Sequence, residues 1–311
     1  MMDARLQRRI QRYGWDKAAA WYEQSWQRQL APAQRTMLAM AELAPGERVV
    51  DVACGTGLVS FAAAEAVGPT GVVVGTDISE VMVTLAAARG RSRGIRSARF
   101  ARMDAEDLSQ LEDASFDVAL CGLGLMYVPD PLKAIREMTR LVMPGSTPWP
   151  EGPPELGGRV VAAVWGQRSR CGWAEIFPIV DARVKSEVCP MFFSLGTGDT
   201  LAHVFREAGL VDVITERIET RLDWQSDDEA CGAAFEGGPV ALAYGRFDER
   251  TRLRVQREYL DSIAQWRAPR MRAAAAVAGS GSSSSHRDDE TPTRAYSVPG
   301  EFVIVAGRRP A

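Results

Sequence analysis

The stretch Val49-Val50-Asp51-Val52-Ala53-Cys54-Gly55-Thr56-Gly57 constrains this chain more than any other. An apolar strand runs into a glycine-rich turn, and a helical pattern follows. Gly55 and Gly57 lack a Cβ, so the backbone there can turn tightly and approach a bound molecule closely. In an open α/β sheet, ligands bind beyond the carboxyl ends of the strands. The next strand, rich in Val, ends in Gly75-Thr76-Asp77, and Asp77 stands 20 residues past Gly57. At that spacing a carboxylate accepts hydrogen bonds from both hydroxyls of a ribose. A nucleoside-containing ligand follows.

The kind of nucleoside follows from what the loop lacks. A dinucleotide site carries a third glycine and a helix N-terminus for the pyrophosphate. Here Gly57 is followed by Leu58, Val59 and Ser60. Asp51, just before the loop, would repel a pyrophosphate and attract an amino group. The ligand therefore carries a ribose and a positive charge without phosphate, and S-adenosylmethionine fits.

Around this loop, strands alternate with helices. Residues 48–52, 71–77, 98–103, 116–121 and 158–165 read as strands, and 57–67, 79–90 and 130–142 as helices. The alternation implies a parallel sheet with helices on both faces. Two helices are expected within 15–43. The first carries Trp15, Ala19, Tyr22 and Trp26, and the second follows Pro32 with Met37, Met40 and Leu43. Beyond 165, residues 171–186, 198–209 and much of 227–267 look helical, with strands at 211–218 and 301–306. The stretches 145–158, with four prolines, and 278–292, rich in Ser, cannot bury enough apolar surface to offset their ordering entropy and read as mobile insertions. The expected division is an N-terminal helical lid (1–45), a cofactor-binding core (46–166), a substrate cap with the sixth strand (167–278), a disordered insertion (279–298) and the last strand (299–311).

With these pieces in place, the sequence resembles the class I S-adenosylmethionine-dependent methyltransferases. The matching segments are Val49–Gly57, Gly75-Thr76-Asp77-Ile78-Ser79, Met103-Asp104-Ala105-Glu106-Asp107-Leu108 and Phe116-Asp117-Val118-Ala119-Leu120-Cys121. Gly157-Gly158-Arg159 to Trp165 matches the fifth strand, and Pro299-Gly300-Glu301 to Arg308 the last. Within the family the chain looks most like the quinone-biosynthesis type. The fold this implies is α/β, a Rossmann-like, doubly wound sheet of seven strands with the last antiparallel, N-terminal helices and a helical cap.

The resemblance also implies roles. Asp51, Ala53, Gly55, Thr56 and Gly57 line the methionine part of S-adenosylmethionine. Asp77 holds the ribose, Ile78 and Met82 pack on the adenine, and Asp104 with Ala105 receives its amino edge. Cys121, Gly122 and Leu123 close the pocket beneath the sulfonium. Tyr13 and Tyr22 cover it. Bland readings stand beside these: Asp104 also suits a helix cap, and Tyr22 and Trp26 suit a core. Cys54 is a small loop residue with no base near it in sequence.

Methyl transfer by direct displacement needs in-line placement of the acceptor and no metal. The acceptor walls are expected after strands four and five. There Trp165, Trp173, Phe177, Phe192 and Phe193 crowd into 29 residues and suit a flat, apolar small molecule, or simply close the core. His203 and Tyr127 are the candidate bases, with a structural role as the alternative for His203. The Arg run from Arg89 to Arg102 reads as a solvated face rather than an RNA site. An RNA or protein methyltransferase, and a methyltransferase-like binding module without catalysis, are the alternative functions.

Composition bounds the rest. Apolar residues make up 46%, charged residues 25%, and the net charge is −3, which excludes a wholly disordered chain, a collagen and a coiled-coil rod. That balance argues against a general polyanion binder. No apolar run is long enough for a transmembrane helix. Five scattered cysteines without a C-x-x-C pair argue against a disulfide framework or zinc site and for a reducing compartment. The cytoplasm is the expected location, with an organelle-targeting start as the alternative. Composition does not set the oligomeric state.

Overall fold

The structure, a computed structural model, describes residues 3–146, 156–184, 192–268 and 295–311. Seven strands form one sheet: β1 (Arg48–Val52), β2 (Val72–Asp77), β3 (Ala98–Arg102), β4 (Val118–Gly122), β5 (Arg159–Trp165), β6 (Val211–Trp224) and β7 (Tyr296–Arg308). Their order is β3-β2-β1-β4-β5-β7-β6; β7 runs antiparallel to both its neighbours, and every other pairing is parallel. The strand order reverses between β1 and β4, which opens a crevice at their carboxyl ends.

The helices are α1 (Ala4–Ala41), α2 (Leu58–Val67), α3 (Glu80–Ser92), α4 (Pro131–Leu141), α5 (Ile176–Asp181), α6 (Thr200–Glu207), α7 (Asp227–Cys231), α8 (Ala241–Tyr244) and α9 (Glu249–Ile263), with a π turn at Gly232–Glu236. Val and Ala dominate β1, β4 and β5 because both sheet faces there are covered, and Val49, Val50, Val118, Ala119, Val160 and Val161 are fully buried. Local chemistry sets the helix starts. Ser79 Oγ accepts from Met82 N–H at 3.1 Å to open α3, and Asp130 Oδ1 accepts from Lys133 N–H at 3.0 Å to open α4, with Pro131 in its first turn.

Three expectations need correction. The two N-terminal helices are one, and α1 runs through Pro32 for 38 residues. Pro32 removes one helical hydrogen bond, but Leu30, Ala33 and Met37 on either side are buried in the core, and packing outweighs that loss. The last two strands are longer than expected, pairing from Val211 with Arg308 to Trp224 with Tyr296. Pro299 suggests a break at that point in the sequence. However, β5 ends opposite Phe302, so β7 has a partner on one side only at Pro299, where a missing N–H is tolerated. Of residues 171–186, only Ile176–Asp181 form an α-helix among those described.

Most of 145–158 and all of 278–292 lie outside the described residues. The flanks of the first are tied down. Gly158 N–H donates to Met143 carbonyl at 2.8 Å, and Gly145 and Gly157 N–H donate to the carbonyls of Pro310 and Arg309.

Candidate active site

At the end of β1 the chain turns through left-handed conformations at Ala53 (φ 57°), Gly55 (φ 55°) and Gly57 (φ 90°). Gly57 is also required for space, since a Cβ there would lie 2.8 Å from the Phe61 ring. The turn aims Gly55 N–H at Asp77 Oδ2 (2.9 Å), while Ser79 N–H donates to Oδ1 (2.9 Å). Two backbone donors thus fix the carboxylate at the end of β2. Burial raises its pKa to about 6, against the lowering effect of those donors. Each oxygen keeps acceptor capacity, and Asp77 lines an open cavity.

Ile78, Met82, Met103 and Ala105 give that cavity an apolar slot, with Asp104 at its polar end and Ala53, Gly122 and Leu123 across from them. Thr56, Gly57, Asp51 and Cys121, assigned to the wall by sequence, lie behind it. Asp51 is 1% exposed beneath the loop, because a side chain at the end of a central strand is covered by the turn that follows. Its Oδ2 accepts from Ser60 Oγ at 2.5 Å, while Oδ1 has no partner among the described residues. Burial raises its pKa to about 7, with Ser60 opposing and Asp77 adding. Thr56 Oγ1 is likewise buried and unpartnered. Cys121 is fully buried, and burial pushes its thiol up to about 12.

The fourth side of the cavity comes from α1, through Arg8, Gln11, Trp15 and Tyr22. Four polar contacts latch the helix there. Arg8 Nε lies 3.1 Å from Asp104 Oδ2, and Arg8 also pairs with the buried Glu106. Ser79 Oγ donates to Asp16 Oδ1 at 2.6 Å, and Arg89 pairs with Glu23. Sequence reading missed Arg8, Gln11 and Trp15, although with Tyr22 they recur at spacings of three, four and seven, the mark of one helical face. Tyr13, expected over the cofactor, is instead 49% exposed, because two residues before Trp15 is the opposite side of a helix. Burial, reinforced by Asp77 and Asp51, pushes the Tyr22 phenol far above its ordinary value, so it keeps its proton.

Beyond Tyr22 lies a second, smaller chamber. It shares Trp15, Tyr22, Leu123 and Tyr127 with the first and adds Trp26, Trp165 and Trp173. The Trp173 Nε1 donor is buried without a partner among the described residues. Phe177 and Phe193 do not reach this chamber. They form a second row, with ring centroids 5.9 and 5.8 Å from Trp173. His203 is also misplaced by sequence reading. It sits on the exposed side of α6, which turns Leu201, Ala202 and Phe205 inward, and it lines neither chamber. Among the described residues no cluster of His, Cys, Asp or Glu is arranged to hold a metal ion.

Comparison with known proteins bears on this architecture. Residues 43–147 match a family described as a methyltransferase domain. The chain is 34% identical over 153 residues to a demethylmenaquinone methyltransferase of Bacillus cytotoxicus, covering 49% of this chain and 59% of that one. It is 31% identical over 186 residues to the Geobacillus kaustophilus counterpart, covering 54% and 72%. The chain thus spans less than two thirds of the first relative. Phosphoethanolamine N-methyltransferase 2 of Haemonchus contortus shares the fold, with a TM-score of 0.54 at 14% identity, covering 95% of this chain and 58% of that one. By strand order, loop and relatives together, the chain belongs to the class I S-adenosylmethionine-dependent methyltransferases, alongside the demethylmenaquinone enzymes.

Proposed function

We propose that the chain transfers the methyl group of S-adenosylmethionine to a small, flat, largely apolar acceptor by direct displacement, and that a hydroquinone of the kind named for its relatives is the acceptor to test first. One observation carries this reading: the chamber around Asp77 abuts an aromatic chamber, and Trp15, Tyr22, Leu123 and Tyr127 line both.

The residues present fit the cofactor. Asp77 has acceptor capacity for two hydroxyls, and Ile78 and Met82 offer apolar faces to a purine. Ala53 and Gly55 of the loop face the cavity where an amino acid moiety would sit, and Asp51 Oδ1 and Thr56 Oγ1, unpartnered among the described residues, lie buried behind them. When bound, the cofactor supplies an electrophilic methyl group on a sulfonium.

The chain's own part is placement. Trp15, Tyr22, Trp26 and Trp173 hold a planar acceptor at a fixed distance and exclude water, and such positioning carries much of the rate in a displacement. Aromatic faces also favour positive charge. The donors of Tyr22 and Trp173 suit an acceptor oxygen. An acceptor already ionised at neutral pH needs no protein base, consistent with the position of His203 outside both chambers.

Labelled S-adenosylmethionine incubated with a demethylated naphthohydroquinone, and separately with fractionated cell extract, tests this. Label in a small apolar product is expected. Label in RNA or protein supports the alternative methyltransferases, and cofactor binding without turnover on any fraction supports a binding module. Tighter binding of NAD than of S-adenosylmethionine would overturn the cofactor assignment.

A further inference from the structure

Charge in this chain is segregated, although the net value is only −3. Residues 4–15 hold four arginines and no carboxylate, and residues 80–102 hold six arginines against Glu80 alone. The first segment opens α1, the second covers α3 and β3, and α1 packs against α3 while β3 is the outermost strand of the sheet. Arg8 and Arg89 are engaged internally with Asp104, Glu106 and Glu23. Of the remaining eight, seven are exposed, and the Arg12 guanidinium lies 5.6 Å from the centre of the Tyr13 ring.

Large apolar side chains stand exposed on the N-terminal part of α1 and in the first turn of α3: Leu6 (43%), Tyr13 (49%) and Val81 (40%). Leu6 and Tyr13 are two helical turns apart and share α1's outer face. Val81 lies beside them, its N–H 3.4 Å from Asp16 Oδ1 of α1. Isolated exposed apolar residues are ordinary, but a group set within a basic field is not. Trp21, on another face of α1, borders Asp228, Glu229 and Glu236 instead.

We propose that this surface docks on an anionic lipid bilayer, with Leu6, Tyr13 and Val81 in the headgroup layer and the arginines on the lipid phosphates. Aliphatic and aromatic side chains on one helical face beside cations are the combination that an interface selects. RNA would use the cations and could stack on Tyr13, but Leu6 and Val81 offer no ring for a base. No described helix is long and apolar enough to cross a membrane, so the contact is peripheral. Arg8, Gln11 and Trp15 on the inner face of α1 line the cofactor cavity, so docking sets the outside of the lid against the phase in which apolar molecules dissolve. The inference goes beyond methyl transfer and does not depend on it.

Vesicle sedimentation of the full chain decides it. Phosphatidylcholine vesicles are compared with vesicles containing phosphatidylglycerol, at low and high salt. Binding to the anionic vesicles, lost in high salt, is expected. Arg5→Glu combined with Arg9→Glu should weaken it by at least about ten-fold, since each cation near such a surface contributes roughly five-fold. Leu6→Ser, Tyr13→Ser and Val81→Ser together should abolish it, with thermal unfolding and S-adenosylmethionine affinity unchanged as proof of an intact fold. Absent or equal binding to the two vesicle types overturns the proposal. So does retention by the apolar triple variant, or tighter association with single-stranded RNA at the same salt.

Discussion

Asp51 concentrates the chemistry of the site into one carboxylate. Its pKa is raised to about 7, chiefly by burial, so the folded chain holds a proton that the unfolded chain has released. Between about pH 4 and pH 7 this makes stability fall as pH rises, because the native state binds more protons than the unfolded one. Asp51→Asn should remove that slope and stabilise the free protein at neutral pH, as a pH series of thermal unfolding would show. The same variant should weaken S-adenosylmethionine binding by about 1.5–3 kcal/mol, the range for a hydrogen bond to a charged group. In the wild type, a cationic ligand favours the ionised carboxylate, so calorimetry should find binding tightening between about pH 6 and pH 8 with proton release, and a flatter profile in Asp51→Asn. The aromatic rows divide in the same way. Trp173→Ala should raise the acceptor's KM by about ten-fold, while Phe177→Ala should cost roughly 3 kcal/mol of stability and leave KM unchanged. If Phe177→Ala shifts KM more than Trp173→Ala, the chamber is drawn in the wrong place. Asp77 is legible in the sequence because its spacing from the loop reflects one strand and one helix. The separation of Trp173 from Phe193 is not, since both are aromatic residues after the same strand and only packing sorts them.

At the scale of elements, α1 decides how the site is covered. Its latch comprises Arg8 on Asp104 and Glu106, Asp16 on Ser79, and Glu23 on Arg89. Asp104 therefore cannot be wholly given to a purine while Arg8 holds it, and the latch must share or yield that oxygen when a ligand arrives. Arg8→Ala with Glu106→Gln, which avoids stranding a buried charge, should speed cofactor release by roughly ten-fold. Stopped-flow displacement reads this directly, and an unchanged off-rate would make the latch purely structural. The sequence hides α1 as a unit because Pro32 is the strongest local stop signal in it. Burial on both sides of Pro32 is a long-range fact that no local pattern carries. The strands β1, β2 and β4 are readable because their largely buried residues are mostly small or β-branched and apolar.

For the whole molecule, net charge misleads. A value of −3 argues against polyanion binding, yet ten arginines fall within two short segments, 4–15 and 80–102, that hold a single carboxylate. The loop between β4 and β5 also has a readable topology. Met143 and Gly158 already close on each other through a 2.8 Å hydrogen bond, and a Cβ on Gly157 would meet the Met143 carbonyl at 2.3 Å. Replacing 147–155 with a tight turn should therefore leave kcat and KM unchanged and Tm nearly so, since closure entropy varies slowly with length. A large kcat loss would place that loop at the site instead. The position of β7 has a further consequence, for synthesis. It pairs with β5 on one side and β6 on the other, yet it is the last strand in the chain. Until residues 296–308 leave the ribosome, β5 presents a bare edge of Val and Ala, and β6 has nothing to join. The nascent chain must hold more than 90 residues, from Val211 onward, unattached to the sheet it will extend. Premature termination anywhere in that span leaves a sticky half-sheet, and chaperone demand should peak there during translation.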